Sequence, residues 1–305
     1  MLVGGRCRRK TKSAVRIGCR LDGPVDHDAL IEQFDIDRLR VGHPRNLSRS
    51  FRGHSRTLAQ AVAVSLERAC VKLYLMNPAN ASDRGTALRQ VRRVIERLVR
   101  DGRAVARSDG TVHSIFPVAA SAVEGEALRG WVTRERATNT IEIGLGYGVS
   151  ALFVCEGLLA NGRAGTSHVV LDPYQATRFT DCGLQFLEEA GLGQLVEYHA
   201  DESQIALPRF LSEGRSFDLA FVDGNHRFDG VFLDLIYLGR LVRAGGIVFV
   251  DDYQLAAVAR AVSFCLTNLG WRIEEVSAAD DFHQWAVLRT SDAPDTRPFD
   301  YYVEF

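Results

Sequence analysis

No apolar run in this chain approaches the ~20 residues that a membrane-spanning helix needs. Cysteine is sparse and scattered. Its six positions, Cys7, Cys19, Cys70, Cys155, Cys182 and Cys265, form no C-x-x-C pair. That spacing argues against a zinc ribbon or a disulfide framework and fits a reducing compartment, so the expected location is cytoplasmic. Net charge is close to absent, at −1, but it is unevenly spread. Residues 1–20 hold seven Arg or Lys and no acid, and they lack the long apolar core of a secretory signal. A basic arm can serve nucleic acid. A tail with little to build a core from is the plainer reading, adopted here for 1–50 together with the polar, Asp-rich loop that follows.

What the chain does have is ordinary globular composition, 46% apolar and 25% charged over 305 residues. That is enough for one large domain, or a main domain plus a small one. Its most informative stretch is Thr140-Ile-Glu-Ile-Gly-Leu-Gly-Tyr-Gly-Val-Ser. An apolar run breaks into Gly144, Gly146 and Gly148, then resumes in a helix-compatible pattern. A strand that turns through glycines into a helix makes a nucleotide-binding corner, because a ligand approaches backbone that carries no Cβ. The dinucleotide fingerprint G-x-G-x-x-G does not fit, since its third position falls on Val149.

Upstream, residues 55–75 and 83–100 show apolar positions at helical spacing, the second with arginines on its other side. Asp101-Gly102 and Asp109-Gly110 bracket two short β-like runs, a hairpin signal. Helix plus hairpin suits either a winged helix on DNA or a cap on the main domain with solvated arginines, and the cap is the expectation. Residues 51–120 are therefore read as a helical and hairpin extension.

A helix over 121–137 leads into the corner, and beyond 139 strands and helices alternate. Strands are expected near 139–144, 167–172, 195–200, 217–223 and 246–252, with helices near 149–160, 178–190, 203–213, 228–243 and 254–268. Such alternation predicts a parallel sheet covered on both faces. The last two β-like runs, 271–276 and 282–289, are joined by only five residues, too few for a parallel crossover, so they form an antiparallel pair. The tail, 291–305, reads as irregular.

Ligands of such sheets bind at the carboxyl ends of the strands. There the sequence places Glu142 before the glycines, Asp172 after the second strand, Asp201 and Glu202 after the third, Asp223 after the fourth, and Asp251 and Asp252 after the fifth. Asp172, Asp201 and Glu202 are also placed to cap helices. Asp223, Asp251 and Asp252 converge where two neighbouring strands stop. Without a cation they repel one another, and a hard divalent ion such as Mg²⁺ resolves this with oxygen ligands. His226, three residues after Asp223, suits a general base near neutral pH. His113, His168 and His283 show no convergent spacing with the carboxylates and are assigned no role.

The glycine corner Glu142-Ile-Gly144-Leu-Gly146-Tyr-Gly148, with Asp223-Gly-Asn-His226 and Asp251-Asp252, resembles the class I S-adenosylmethionine-dependent methyltransferases. The likeness runs over roughly 115–290 and is closest to bacterial small-molecule O-methyltransferases with D-G-x-H and D-D motifs. It implies a doubly wound, mostly parallel seven-stranded Rossmann-like sheet in the order 3-2-1-4-5-7-6, with a methyltransferase domain over 121–290. It implies S-adenosylmethionine bound by Glu142, Gly144, Gly146, Gly148, Asp172, Asp201, Glu202 and Asp223, and a cation at Asp223, Asp251 and Asp252. The catechol-type relatives carry an Asp-Asn pair and a lysine where this chain has Asp251-Asp252 and His226. The activity so implied is methylation of a small-molecule acceptor at oxygen, with neither membrane nor nucleic acid as partner and with homo-oligomers left open. Two other classes stay open: a nicotinamide-dependent oxidoreductase, and a DNA-binding or regulatory protein with a vestigial cofactor domain.

Overall fold

The computed structural model describes residues 81–278, 284–293 and 295–305. The basic tail and loop expected over 1–50 and the helix expected over 55–75 lie outside the described residues.

The chain enters through α1 (Ala81–Asp101), then an antiparallel hairpin of β1 (Arg103–Val105) and β2 (Val112–Ser114). Val91, Val94, Ile95 and Leu98 form the buried face of α1, as their helical spacing requires. Arginines on its other side do not all stand free in solvent. Arg92 pairs at 2.6 Å with Glu156, itself almost fully buried, and Arg97 pairs at 2.8 Å with Glu189. Beyond the helix, Arg107 reaches Glu188 at 2.6 Å. These pairs tie this part of the chain to the helices Val149–Asn161 and Cys182–Glu189.

The core then alternates: α2 (Ala122–Arg134), β3 (Asn139–Ile143), α3 (Val149–Asn161), β4 (Ser167–Leu171), α4 (Gln175–Arg178), α5 (Cys182–Glu189), β5 (Val196–His199), α6 (Ser203–Ser212), β6 (Phe217–Val222), α7 (Phe228–Leu241), β7 (Val242–Val250), α8 (Ala256–Asn268), β8 (Arg272–Val276) and β9 (Ala286–Arg289). The strands form one sheet in the order β5-β4-β3-β6-β7-β9-β8. The first five are parallel, and β9 lies antiparallel to both β7 and β8. This is the order implied by the resemblance.

Side chains alternate across the sheet. Ile141, Ile143, Val169, Leu171, Ala220, Val222, Val248 and Val250 face one core with the apolar stripes of α6, α7 and α8. Val170, Leu219, Phe221, Ile247 and Phe249 face the other, against α1, α2, α3 and α5. Both faces are covered, which is why the strands read as continuous apolar runs.

Two local expectations change. The helix expected over 178–190 is broken in two, because Thr180 and Asp181 adopt left-handed backbone, with φ of 50° and 56°. Strand β7 begins at Val242 and stops at Val250, so Asp251 and Asp252 both lie past its end. The described part of the tail carries no helix or strand, yet it is tied down: Asn268 on α8 donates to Val303 O and accepts from Val303 N, each at 2.8 Å.

Candidate active site

Register brings the site together. Ile143 pairs with Leu171 and with Val222, Leu171 with His199, and Val222 with Val250. Five strands therefore end level, and the residues that follow them emerge in one row: Gly144, Asp172, Asp201, Asp223 and Asp251 with Asp252.

At the corner, Gly144 has φ of 91° and donates to Leu171 O at 2.8 Å. A Cβ there would lie 1.9 Å from Asp223 O, so no other residue fits. Gly146 differs. Its φ is 52°, but a Cβ would meet only Val118 Cγ1, at 3.8 Å. The corner is packed by backbone at Gly144 and open at Gly146, which is the shape of a cradle.

Asp172 is 3% exposed. Its Oδ2 accepts from Leu145 N at 3.1 Å, Gly146 N at 3.0 Å and Gln175 Nε2 at 2.8 Å. Its Oδ1 accepts from Tyr174 N at 2.8 Å. Gln175 also donates to Gly146 O at 2.8 Å. The carboxylate thus clamps the cradle with one oxygen. Tyr198 donates to Asp172 O at 2.7 Å, and burial, helped by the Asp172 charge, pushes its hydroxyl up to about 12, so it stays a donor.

Glu142 sits lower and is fully buried. Oε1 accepts from Ser150 Oγ, and Oε2 lies 2.8 Å from His168 Nε2. Both oxygens thus have partners inside the protein, beneath the corner. At the end of β5, Asp201 pairs with Arg209 at 2.7 Å, and Glu202 hydrogen-bonds Gln204. The Glu202 side chain does not cap α6.

The side chains grouped closely enough to hold a cation differ from the expected trio. Oxygen and nitrogen atoms of Asp223, His226 and Asp252 lie within 4.8 Å of one another. His226 Nδ1 is 3.2 Å from Asp252 Oδ2, and its Nε2 is 3.4 Å from Asp223 Oδ1. Asp251, 2% exposed, is outside this group among the described residues. Successive side chains leaving a strand diverge, and the left-handed backbone of Asp252, φ 52°, carries its carboxylate to His226. Two acidic oxygens and an imidazole nitrogen so close together fit a divalent cation. The imidazole expected as a base stands among the ligands.

Of the aromatic residues near these strand ends, Tyr147 is buried against Phe179 and His113, whereas Tyr174 and Phe228 are exposed. Trp131 packs far off, donating to Glu275 at 2.9 Å. A separate cavity of about 570 Å³, lined by Arg240, Asn268, Trp271 and Tyr301, opens at the opposite end of the sheet.

Residues 141–253 match the family model described as a methyltransferase domain. With the sheet order, this gives the matched segment the fold of such domains. Among curated proteins, the chain is similar to a putative caffeoyl-CoA O-methyltransferase of Arabidopsis thaliana, 29% identical over 129 residues, 42% of this chain and 52% of that protein. A caffeoyl-CoA O-methyltransferase of Petroselinum crispum is 27% identical over 129 residues, 40% of this chain and 51% of that protein. The chain thus spans about half the length of the curated relatives it matches. Two solved structures share the fold. An O-methyltransferase of Bacillus cereus in complex with SAH has a TM-score of 0.52 at 16% identity, over 68% of this chain and 91% of that one. The O-methyltransferase TomG of Streptomyces achromogenes in complex with SAM has a TM-score of 0.52 at 20% identity, over 65% of this chain and 89% of that one.

Proposed function

We propose that this protein transfers the methyl group of S-adenosylmethionine to an oxygen of a small acceptor, with a divalent cation at Asp223, His226 and Asp252. The observation that carries the reading is the meeting, at one end of the sheet, of an open glycine cradle with a three-ligand cluster at the ends of the next two strands. The plant relatives' names favour oxygen as the methylated atom. S-adenosylmethionine supplies an electrophilic methyl group, and a bound divalent cation eases ionisation of an acceptor hydroxyl.

The chain's own residues divide the work. Gly146 leaves room for the methionine arm. Asp172 offers Oδ1 to the ribose while its Oδ2 holds the loop. Asp201 and Glu202 stand at the end of β5, on the adenine side. Asp223 belongs to both halves, since its backbone O packs under Gly144 and its carboxylate faces His226. Fixing donor and acceptor in line removes much of the entropic barrier. With the cation bound, His226 acts as a ligand in place of the base expected from its position.

The nicotinamide alternative is disfavoured by Val149 in the fingerprint and by the antiparallel pair β8–β9. Calorimetry with S-adenosylhomocysteine and with NAD⁺, each with and without Mg²⁺, tests the reading. Binding of the first and not of the second is expected, and the reverse result would overturn it.

A further inference from the structure

Beneath the glycine corner runs a buried polar chain for which methyl transfer as described has no use. Thr140, Glu142, Ser150 and His168 are each no more than 4% exposed. They lie on three elements: Thr140 and Glu142 on β3, His168 on β4, and Ser150 in the first turn of α3. Thr140 Oγ1 is 2.9 Å from His168 Nδ1, His168 Nε2 is 2.8 Å from Glu142 Oε2, and Ser150 Oγ donates to Glu142 Oε1. One proton arrangement satisfies every ring nitrogen and carboxylate contact: Thr140 donates to Nδ1, Nε2–H donates to Glu142, and Ser150 donates to the other oxygen. Such a chain is costly to bury unless complete, and complete it fixes its members strongly.

Two of its members straddle the corner. Glu142 is two residues before Gly144, and Ser150 is two residues after Gly148. His168 crosses from the neighbouring strand, where it pairs in register with Thr140. The corner itself contains three glycines with φ of 91°, 52° and 77°, and glycine does little to hold such backbone rigid. From above it is clamped by Asp172 and Gln175. From below, the polar chain ties the strand entering the corner to the helix leaving it.

We propose that His168 is a positioning residue for the cofactor: through Glu142 it fixes Ser150, and so the angle between β3 and α3 at which the glycine cradle is open. The proposal rests on the cradle being the S-adenosylmethionine site. A preformed cradle spares the ligand the cost of ordering the loop, so the chain acts on affinity as well as on stability.

The test is calorimetric affinity for S-adenosylhomocysteine, well below the lowest melting temperature, for wild type, His168→Asn, His168→Gln, Ser150→Ala and His168→Asn with Ser150→Ala. Asn cannot reach Glu142, whereas Gln places a donor near the position of Nε2. His168→Asn is expected to weaken binding about tenfold, the worth of one hydrogen bond to a charged group. His168→Gln should regain most of that loss. Ser150→Ala should weaken binding too, and the double variant should lose less than the sum, because both act through Glu142. Wild-type affinity in a folded His168→Asn, or additive losses, would overturn the proposal. Should His168→Asn fail to fold, unchanged affinity in Ser150→Ala would do the same. No binding to wild type would instead refute the cofactor reading itself.

Discussion

Asp172 reaches from the end of β4 to the backbone N–H of Gly146 on the adjoining corner, at 3.0 Å. The carboxylate expected to meet the ribose is thus also a brace of the loop proposed to take the methionine arm. Asp172→Ala removes both functions, and Asp172→Asn removes one, since an amide turned toward Leu145 N, Gly146 N and Gln175 would oppose donor with donor or present one acceptor only. Charged hydrogen bonds are worth roughly 1.5–3 kcal/mol. Affinity for S-adenosylhomocysteine should fall at least about tenfold in Asp172→Ala and less in Asp172→Asn, as read by calorimetry. A variant with lowered melting temperature and wild-type affinity would confine Asp172 to bracing.

Gly146→Val tests the cradle. An added Cβ meets only Val118 Cγ1, at 3.8 Å, although φ of 52° is strained for a β-branched residue. Calorimetry should show binding abolished in a variant that still melts cooperatively. Retained affinity would remove the cradle from the site.

Cation binding separates the cluster from the expected trio. Asp252→Asn and His226→Ala should each weaken Mn²⁺ or Mg²⁺ binding by about tenfold or more, by loss of one of three protein ligands. Asp251→Asn should weaken it much less. S-adenosylhomocysteine affinity should survive chelation. Equal effects at Asp251 and Asp252 would restore the trio read from the sequence.

Stability should carry a signature of Asp234 on α7. Burial, which leaves neither of its oxygens a hydrogen-bond partner among the described residues, pushes its carboxyl up to about 7 from an ordinary 3.8. The folded state therefore holds a proton that the unfolded chain has released between these values, and stability falls as pH rises through that window. Asp234→Asn removes the dependence. It should gain on wild type at pH 8 by about 2–4 kcal/mol, and the gain should shrink toward pH 4. Chemical denaturation at several pH values measures this, and a pH-independent difference would contradict it.

Much of this architecture is legible in the residues alone. Short apolar runs and period-3.6 helices dictate the alternation, and the link from Val276 to Ala286 is too short for a parallel crossover, which is why β8 and β9 are antiparallel. Glycine spacing marks the corner because only glycine tolerates backbone against its Cβ position, as Gly144 does against Asp223 O.

What the sequence by itself determined, then, is which elements form and which residues stand at strand ends, since both depend on neighbours along the chain. Only the tertiary structure decided where those side chains point. The group close enough to hold a cation contains His226 and not Asp251, with Asp252 turned through φ 52°. The register of β3 against β4 placed His168 beside Thr140 and Glu142, 28 and 26 residues away in the chain. Backbone twist past a strand end and the pairing of distant strands are set by packing across the whole sheet, and no local pattern of residues encodes them.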